Sequence, residues 1–447
     1  MFEDAINDRP ISGRQKVMFS LCLLVLIIDG LDAALLAFAS PVLLAEWHVT
    51  KAQLAPALAM SLVGMAIGAP LGGLAGDRFG CRRALITVVA LFGLTTLACA
   101  SVNGVSQLIV FRFLSGIGFG IAVPTAMALA SEWSPRKLRG QMIVLMSVGP
   151  MVGGTLGALL AAKLIPAFGW RSVFVVSGSI TLVSAVLSVI YLPESLVFLI
   201  RKGRQTEALD WVSRMVRGSA TAVPVSAERR SLDVPTTAAG TRLFSLQNLR
   251  LNGGLWIAFF TLSYAAFAYI CWTPTFLVAD GFNLENAIRY TSIYTFSAVI
   301  SVPVCAVLLP RTGSRALLLL SIAATAAATI AFPSLLTTGV THAAAVKIAM
   351  LLAGFGGGMS QSTIYAIAGT AYPATYRATA LGVCVGVSRA GGILGALGGG
   401  VLLEAGGTTE VLFFGVIACM LIAGLIALAA MNRHIAAASS IPRRVTI

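Results

Sequence analysis

Apolar runs of about 20 residues, the length of α-helix that crosses the hydrocarbon core of a bilayer, recur along nearly the whole chain. They fall near 17–40, 53–75, 84–102, 106–131, 140–163, 170–192, 252–278, 290–310, 315–336, 344–369, 378–403 and 411–431. In lipid, every backbone N–H and C=O must be bonded within its own segment, so runs of this kind predict helices. The chain is therefore expected to be an all-α membrane protein with twelve transmembrane helices. The composition agrees, with 57% hydrophobic residues, 11% charged residues and a mean hydropathy of +0.91. So few charges could not cover the surface of a water-soluble protein of this length.

The net charge of +14 would suit a nucleic-acid binder, but its distribution argues otherwise. With the loops numbered by the predicted spans, 24 of the 31 Lys and Arg residues lie on one side, five lie on the other and two lie inside spans. The rich side holds Arg9, Arg14 and Lys16, then Arg78, Arg82 and Arg83, then Arg136, Lys137 and Arg139. It continues with the loop from Arg201 to Arg250, with Arg311, Arg315 and Arg377, and with Arg433, Arg443 and Arg444. By the positive-inside rule this bias places both termini in the cytoplasm of a bacterial inner-membrane protein. The first span has full crossing length and contains two aspartates, unlike a cleavable signal peptide.

The segment 201–250 is the one sizeable hydrophilic stretch. Its start has the pattern of an amphipathic surface helix, and 220–240, rich in Ser, Thr, Ala and Pro, reads as a linker. It separates an N-terminal six-helix bundle, 1–200, from a C-terminal one, 251–447. A shift of 238 residues superposes Gly116, Gly118 and Gly120 on Gly354, Gly356 and Gly358, and Pro135 and Arg139 on Pro373 and Arg377. The same shift carries Gly153, Gly154 and Gly157 onto Gly391, Gly392 and Gly395. A shift of 233 brings Arg78, Gly80 and Arg82 onto Arg311, Gly313 and Arg315. One shift that aligns Pro and Arg as well as Gly predicts two six-helix pseudo-repeats, an arrangement that puts a substrate site near the midplane between halves.

Gly76-Asp77-Arg78-Phe79-Gly80-Cys81-Arg82-Arg83 resembles the loop between the second and third helices of the major facilitator superfamily. Arg112-Phe113-Leu114-Ser115-Gly116-Ile117-Gly118 resembles its fourth-helix motif, Met151–Gly157 its glycine-rich fifth helix, and Pro193-Glu194-Ser195 follows span 6 as in several branches. Asp29-Gly30-Leu31-Asp32 resembles the D-G-x-D motif of the aromatic acid:proton symporter branch, and Tyr372–Thr379 with Gly386–Arg389 its loop 10–11 and eleventh helix. The resemblance implies the major facilitator fold. It also implies uptake of an aromatic carboxylate such as a hydroxybenzoate, with protons, by alternating access in a monomer.

An ionisable residue at the centre of a membrane helix costs about 2.5–3.5 kcal/mol on insertion scales, so each one needs a reason. Four lie deep within the predicted spans, away from their ends: Asp29, Asp32, Arg112 and Arg389. Asp29 and Asp32, three apart, share one face of span 1, and Arg112 on span 4 falls at about the depth of Asp32. Two close carboxylates oppose joint ionisation, as proton coupling requires; the alternative is a static Asp–Arg bridge locking spans 1 and 4. Arg389 meets no acidic residue of its own half at matching depth. A substrate carboxylate would suit its fork, and capping or pairing with an aspartate is the other reading. Gln361 and Tyr365 share a face of span 10, and with Tyr269, Trp272, Tyr264 and Tyr294 they are candidates to contact an aromatic ring; Tyr and Trp also serve as interface anchors. Asp77, Arg78, Arg82 and Arg83, with Arg139 and Arg377, are candidates for a charge latch between helix ends, or simply for topogenic charge.

There is no phosphate-binding glycine loop, nucleophile elbow or metal-ligand spacing among the three histidines and seven cysteines. No enzymatic activity, cofactor or metal is expected. The alternatives to aromatic-acid uptake are symport of another organic acid (nicotinate, muconate or a sugar acid), proton-driven export, and a sensor that binds the acid without moving it.

Overall fold

Helices alone make up the regular structure of the described residues, as the demand for internally bonded backbone in lipid requires. The computed structural model describes residues 11–135, 138–215, 248–279, 281–336, 343–372, 377–402, 409–432 and 434–435. Of Asp77, Arg139 and Arg377 it describes the backbone alone. The helices are α1 (Gly13–Trp47), α2 (Lys51–Phe79), α3 (Cys81–Cys99), α4 (Val105–Glu132), α5 (Arg139–Phe168), α6 (Arg171–Tyr191), α7 (Leu196–Arg201) and α8 (Gln205–Met215). They continue with α9 (Leu249–Ala279), α10 (Leu284–Thr312), α11 (Ser314–Leu336), α12 (Ala343–Ala371), α13 (Arg377–Leu402) and α14 (Thr409–Ala429).

Two of the fourteen, α7 and α8, are short. The other twelve match the predicted spans one for one, and eleven are long and apolar enough to cross a membrane. The exception is α12. At 29 residues it has the length, but Gly354 and Gly356–Gly358 followed by Ser360, Gln361, Ser362 and Thr363 dilute its apolar character. The linker expected at 220–240 lies outside the described residues. The amphipathic helix expected from residue 201 is α8, which buries Ala208 and Met215 in a core with Met18, Leu129 and Trp133.

The chain forms two compact units. One comprises the described residues of Met1–Ala33, Met60–Gly157 and Arg171–Asp233; the other comprises those of Ala34–Ala59, Ala158–Trp170 and Val234–Ile447. In the first, glycines bring helix backbones together. A Cβ on Gly30 of α1 would fall on the Pro150 carbonyl of α5, one on Gly153 on the Ile27 carbonyl of α1, and one on Gly116 of α4 on the Ser61 carbonyl of α2. In the second unit, Gly354 of α12 lies in the same way on Tyr294 of α10, and Gly391 of α13 on Phe260 of α9. The glycines that the 238-residue shift pairs thus make equivalent helix crossings in the two halves, the physical content of the sequence repeat. The turns opening α3 and α11 also match: Gly80 has φ 94° and Gly313 φ 75°, left-handed values that favour glycine.

The second unit also takes in the C-terminal part of α1 and the start of α2. The Ser40 and Thr275 hydroxyls are 3.0 Å apart, the Lys51 ammonium sits 5.6 Å from the centre of the Phe276 ring, and Trp170 donates to Glu46 at 2.7 Å.

Replacing Gly153 by Ala forces α5 away from α1, and overpacking of this kind costs about 1–3 kcal/mol. Thermal unfolding in detergent should show a lower midpoint for Gly153→Ala. Gly415→Ala, with nothing within 4 Å of the added carbon, should leave the midpoint unchanged or slightly raised.

Candidate functional site

In the first unit a buried ion pair joins α1 to α4. Gly116 lets α4 press against α2, and Arg112, one turn earlier on the same helix, reaches across to α1. Its Nη1 donates to Asp32 Oδ2 at 2.6 Å, with the two side chains only 1% and 5% exposed. Its Nη2 approaches two further acceptors, the Ser61 hydroxyl at 3.3 Å and the Asp32 carbonyl oxygen at 3.5 Å. Thr96 of α3 places its hydroxyl 3.5 Å from Asp32 Oδ1. Four helices thus meet at one charged pair. Asp29, a turn before Asp32, is also buried. Removing one member of such a pair typically costs about 3–5 kcal/mol, because the other charge is left buried and uncompensated.

A second cluster lies in the other unit. Tyr365 of α12 lies one turn after Gln361 on the same helix and within electrostatic reach of Arg389 on α13. Its ring meets Phe259 edge-on at 4.9 Å, and 38% of its surface is open. Arg389 is half-buried. The phenol and the amide share one face of α12, with the Arg389 guanidinium of α13 near the phenol.

The other aromatic candidates sit elsewhere. Trp272 is fully buried and donates to the Ala396 carbonyl at 2.9 Å, tying α9 to α13. Tyr269 donates to Thr329 Oγ1 at 2.7 Å and stacks on Tyr294 at 5.1 Å. Tyr264 is buried as well. These rings fill helix interfaces.

The charged turn after α2 has its own chemistry. Arg78 is exposed beside the Phe79 ring. Arg82 directs Nη2 to the Val189 carbonyl at 2.6 Å and lies over the Trp211 ring of α8; Arg83 is exposed. Glu194, quoted above only as part of the Pro193-Glu194-Ser195 stretch, organises this corner, a role that sequence reasoning did not give it. Its Oε1 accepts from the backbone N–H of Arg82 at 2.9 Å and of Ser195 at 3.0 Å, and its carbonyl accepts from Trp133 Nε1 at 3.3 Å. Glu194 therefore caps α3, whose own N-cap is a side-chain-less Gly80, and a carboxylate there also suits the helix dipole. A Cβ on Gly80 would come within 2.7 Å of that carboxylate. The signals in the sequence were that stretch itself and an acidic residue following a span opposite a cationic turn.

Comparison with known proteins follows the same lines. The sequence profile of the Major Facilitator Superfamily matches residues 22–396 and, in an overlapping match, 292–444, so the chain belongs to that family of membrane transporters. It is a multi-pass transporter and not an enzyme. Among its relatives, a 4-hydroxybenzoate transporter of Acinetobacter baylyi is 32% identical over 89% of this chain and 87% of its own length. Another 4-hydroxybenzoate transporter, from Pseudomonas putida, is 31% identical over 91% of this chain and 90% of its own. A gallate transporter of Pseudomonas putida is 30% identical over 92% and 90%. The fold matches the partially occluded, inward-open xylose transporter XylE of E. coli with a TM-score of 0.71, at 16% identity over 95% of this chain and 99% of that one.

Loss of the Glu194 cap should cost about 1–2 kcal/mol. Glu194→Ala is expected to lower the unfolding midpoint in detergent, and Gly80→Ala to do the same by displacing the carboxylate. An unchanged midpoint in both would show that α3 needs no cap.

Proposed function

We propose that this protein takes up an aromatic carboxylate of the hydroxybenzoate class together with protons, by alternating access across the bacterial inner membrane. The observation that carries the substrate class is the similarity to 4-hydroxybenzoate and gallate transporters across about nine-tenths of both chains. Proton coupling is supported by the buried Asp32–Arg112 pair, with Asp29 one turn away. On this reading Asp29 and Asp32 load a proton from the acidic outside and release it inside, and Arg112 holds the counter-charge throughout. Arg389 binds the substrate carboxylate through its fork, and Tyr365 and Gln361 contact the ring and its hydroxyl.

The bundles 1–200 and 251–447, joined by 201–250, form the working halves of a monomer with both termini in the cytoplasm. Asp77, Arg78, Arg82, Arg83, Arg139 and Arg377 form a latch at the ends of the helices that engages and releases through the cycle.

The test is uptake of labelled 4-hydroxybenzoate into proteoliposomes under an inward proton gradient. The wild type should accumulate the acid, and Asp32→Asn should abolish the gradient-driven part. Accumulation by Asp32→Asn equal to wild type would remove the coupling assignment. For Arg389→Lys, which keeps the charge and loses the fork, KM should rise about tenfold, the equivalent of roughly 1.4 kcal/mol. An unchanged KM would place the carboxylate elsewhere.

A further inference from the structure

We propose that Ser61 is a positioning residue for proton binding, a neutral seat that holds the Arg112 guanidinium when Asp32 takes up a proton. The inference rests on the reading of Asp32 as a coupling carboxylate and adds what makes its protonation possible. A buried guanidinium cannot lose its own proton, so neutralising Asp32 takes away the anion at its shortest contact and leaves more of its positive charge to the other acceptors around it. That state is reachable only where other acceptors stand ready.

The node has this two-sided construction. The charged oxygen, Asp32 Oδ2, lies on Nη1 at 2.6 Å. Two neutral oxygens, Ser61 Oγ at 3.3 Å and the Asp32 carbonyl at 3.5 Å, lie on Nη2, which carries two N–H groups. With the carboxylate ionised, the short Nη1 contact dominates and the Nη2 contacts are long. When a proton arrives from water and adds to an Asp32 Oδ atom, the guanidinium keeps all its protons, and the two oxygens on Nη2 are acceptors already in place beside it. Ser61 can occupy that place because Gly116, one turn after Arg112, presses α4 onto the Ser61 backbone.

The other titratable groups facing Asp32 are few. Cys99 of α3 lies within electrostatic reach of both Asp32 and Arg112, and Asp29 precedes it on α1. The sequence of α2 from 53 to 76, of α5 from 142 to 162 and of α6 from 172 to 190 contains no ionisable side chain, and α4 from 111 to 131 contains only Arg112. What α2 brings to the node is the hydroxyl of Ser61.

Ser61→Ala removes the neutral seat and leaves the ion pair intact. Its pH profile for gradient-driven 4-hydroxybenzoate uptake should move toward acid by about one unit, the effect of losing roughly one net hydrogen bond from the protonated state. Counterflow of the same acid, measured at equal acidic pH on both sides where Asp32 is protonated, should stay near the wild-type rate. A pH profile that coincides with wild type overturns the proposal. So does an equal loss of uptake and counterflow at every pH, which would make Ser61 a packing residue only. Both outcomes are distinct from failure of the underlying reading, in which the wild type itself accumulates no aromatic acid.

Discussion

Close backbone contact at glycines is the constraint on which the rest of this structure depends. Lipid provides no hydrophobic drive to press one apolar helix against another, so association rests on packing and on the few polar contacts that packing brings within reach. Gly30 against Pro150 and Gly153 against Ile27 set the distance between α1 and α5, and Gly116 against Ser61 sets that between α2 and α4. Only at those distances does a guanidinium on α4 come 2.6 Å from a carboxylate on α1. The chemistry of the node is therefore a consequence of residues that have no side chain, and the pair would be a liability in a looser bundle.

Polar side chains elsewhere follow a simpler economy. Many Ser and Thr hydroxyls bond back to a carbonyl of their own helix, as Thr181 does to Ser177, Ser188 to Ser184 and Thr325 to Ser321. These groups are satisfied locally and leave the helix apolar to its neighbours. A hydroxyl that reaches another helix, such as Ser61, Thr96 or Tyr269, is a different object, and it marks places where helices are held in register.

The spans were legible because length and apolar content are direct demands of the bilayer. Their ends were less so: α1 runs from Gly13 to Trp47, well past the apolar run at 17–40, because a helix need not stop where hydrocarbon does. The four intramembrane charges were legible from their cost alone, and the partnership of Asp32 with Arg112 from depth and helix order. What tertiary geometry decides was not legible. Whether a ring on α9 meets a cavity or a neighbouring helix depends on helix rotation, so nothing in the sequence separates Trp272 and Tyr269, which are packed away, from Tyr365, which stays accessible. Ser61 is one serine among many until Gly116 places it beside Arg112. Glu194 acts on a backbone N–H 112 residues earlier in the chain, beyond the reach of any local pattern.

That last contact bears on how the protein is made. Ribosomes deliver the chain from its N-terminus, and α3 begins at Cys81 behind a glycine that offers no cap. Its first turn keeps open N–H groups while α4, α5 and α6 are synthesised, and it is closed only when residue 194 follows them. Completion of the third helix thus waits for the end of the sixth: a chain cut before Pro193 carries six apolar segments and a third whose Arg82 N–H lacks the Glu194 carboxylate.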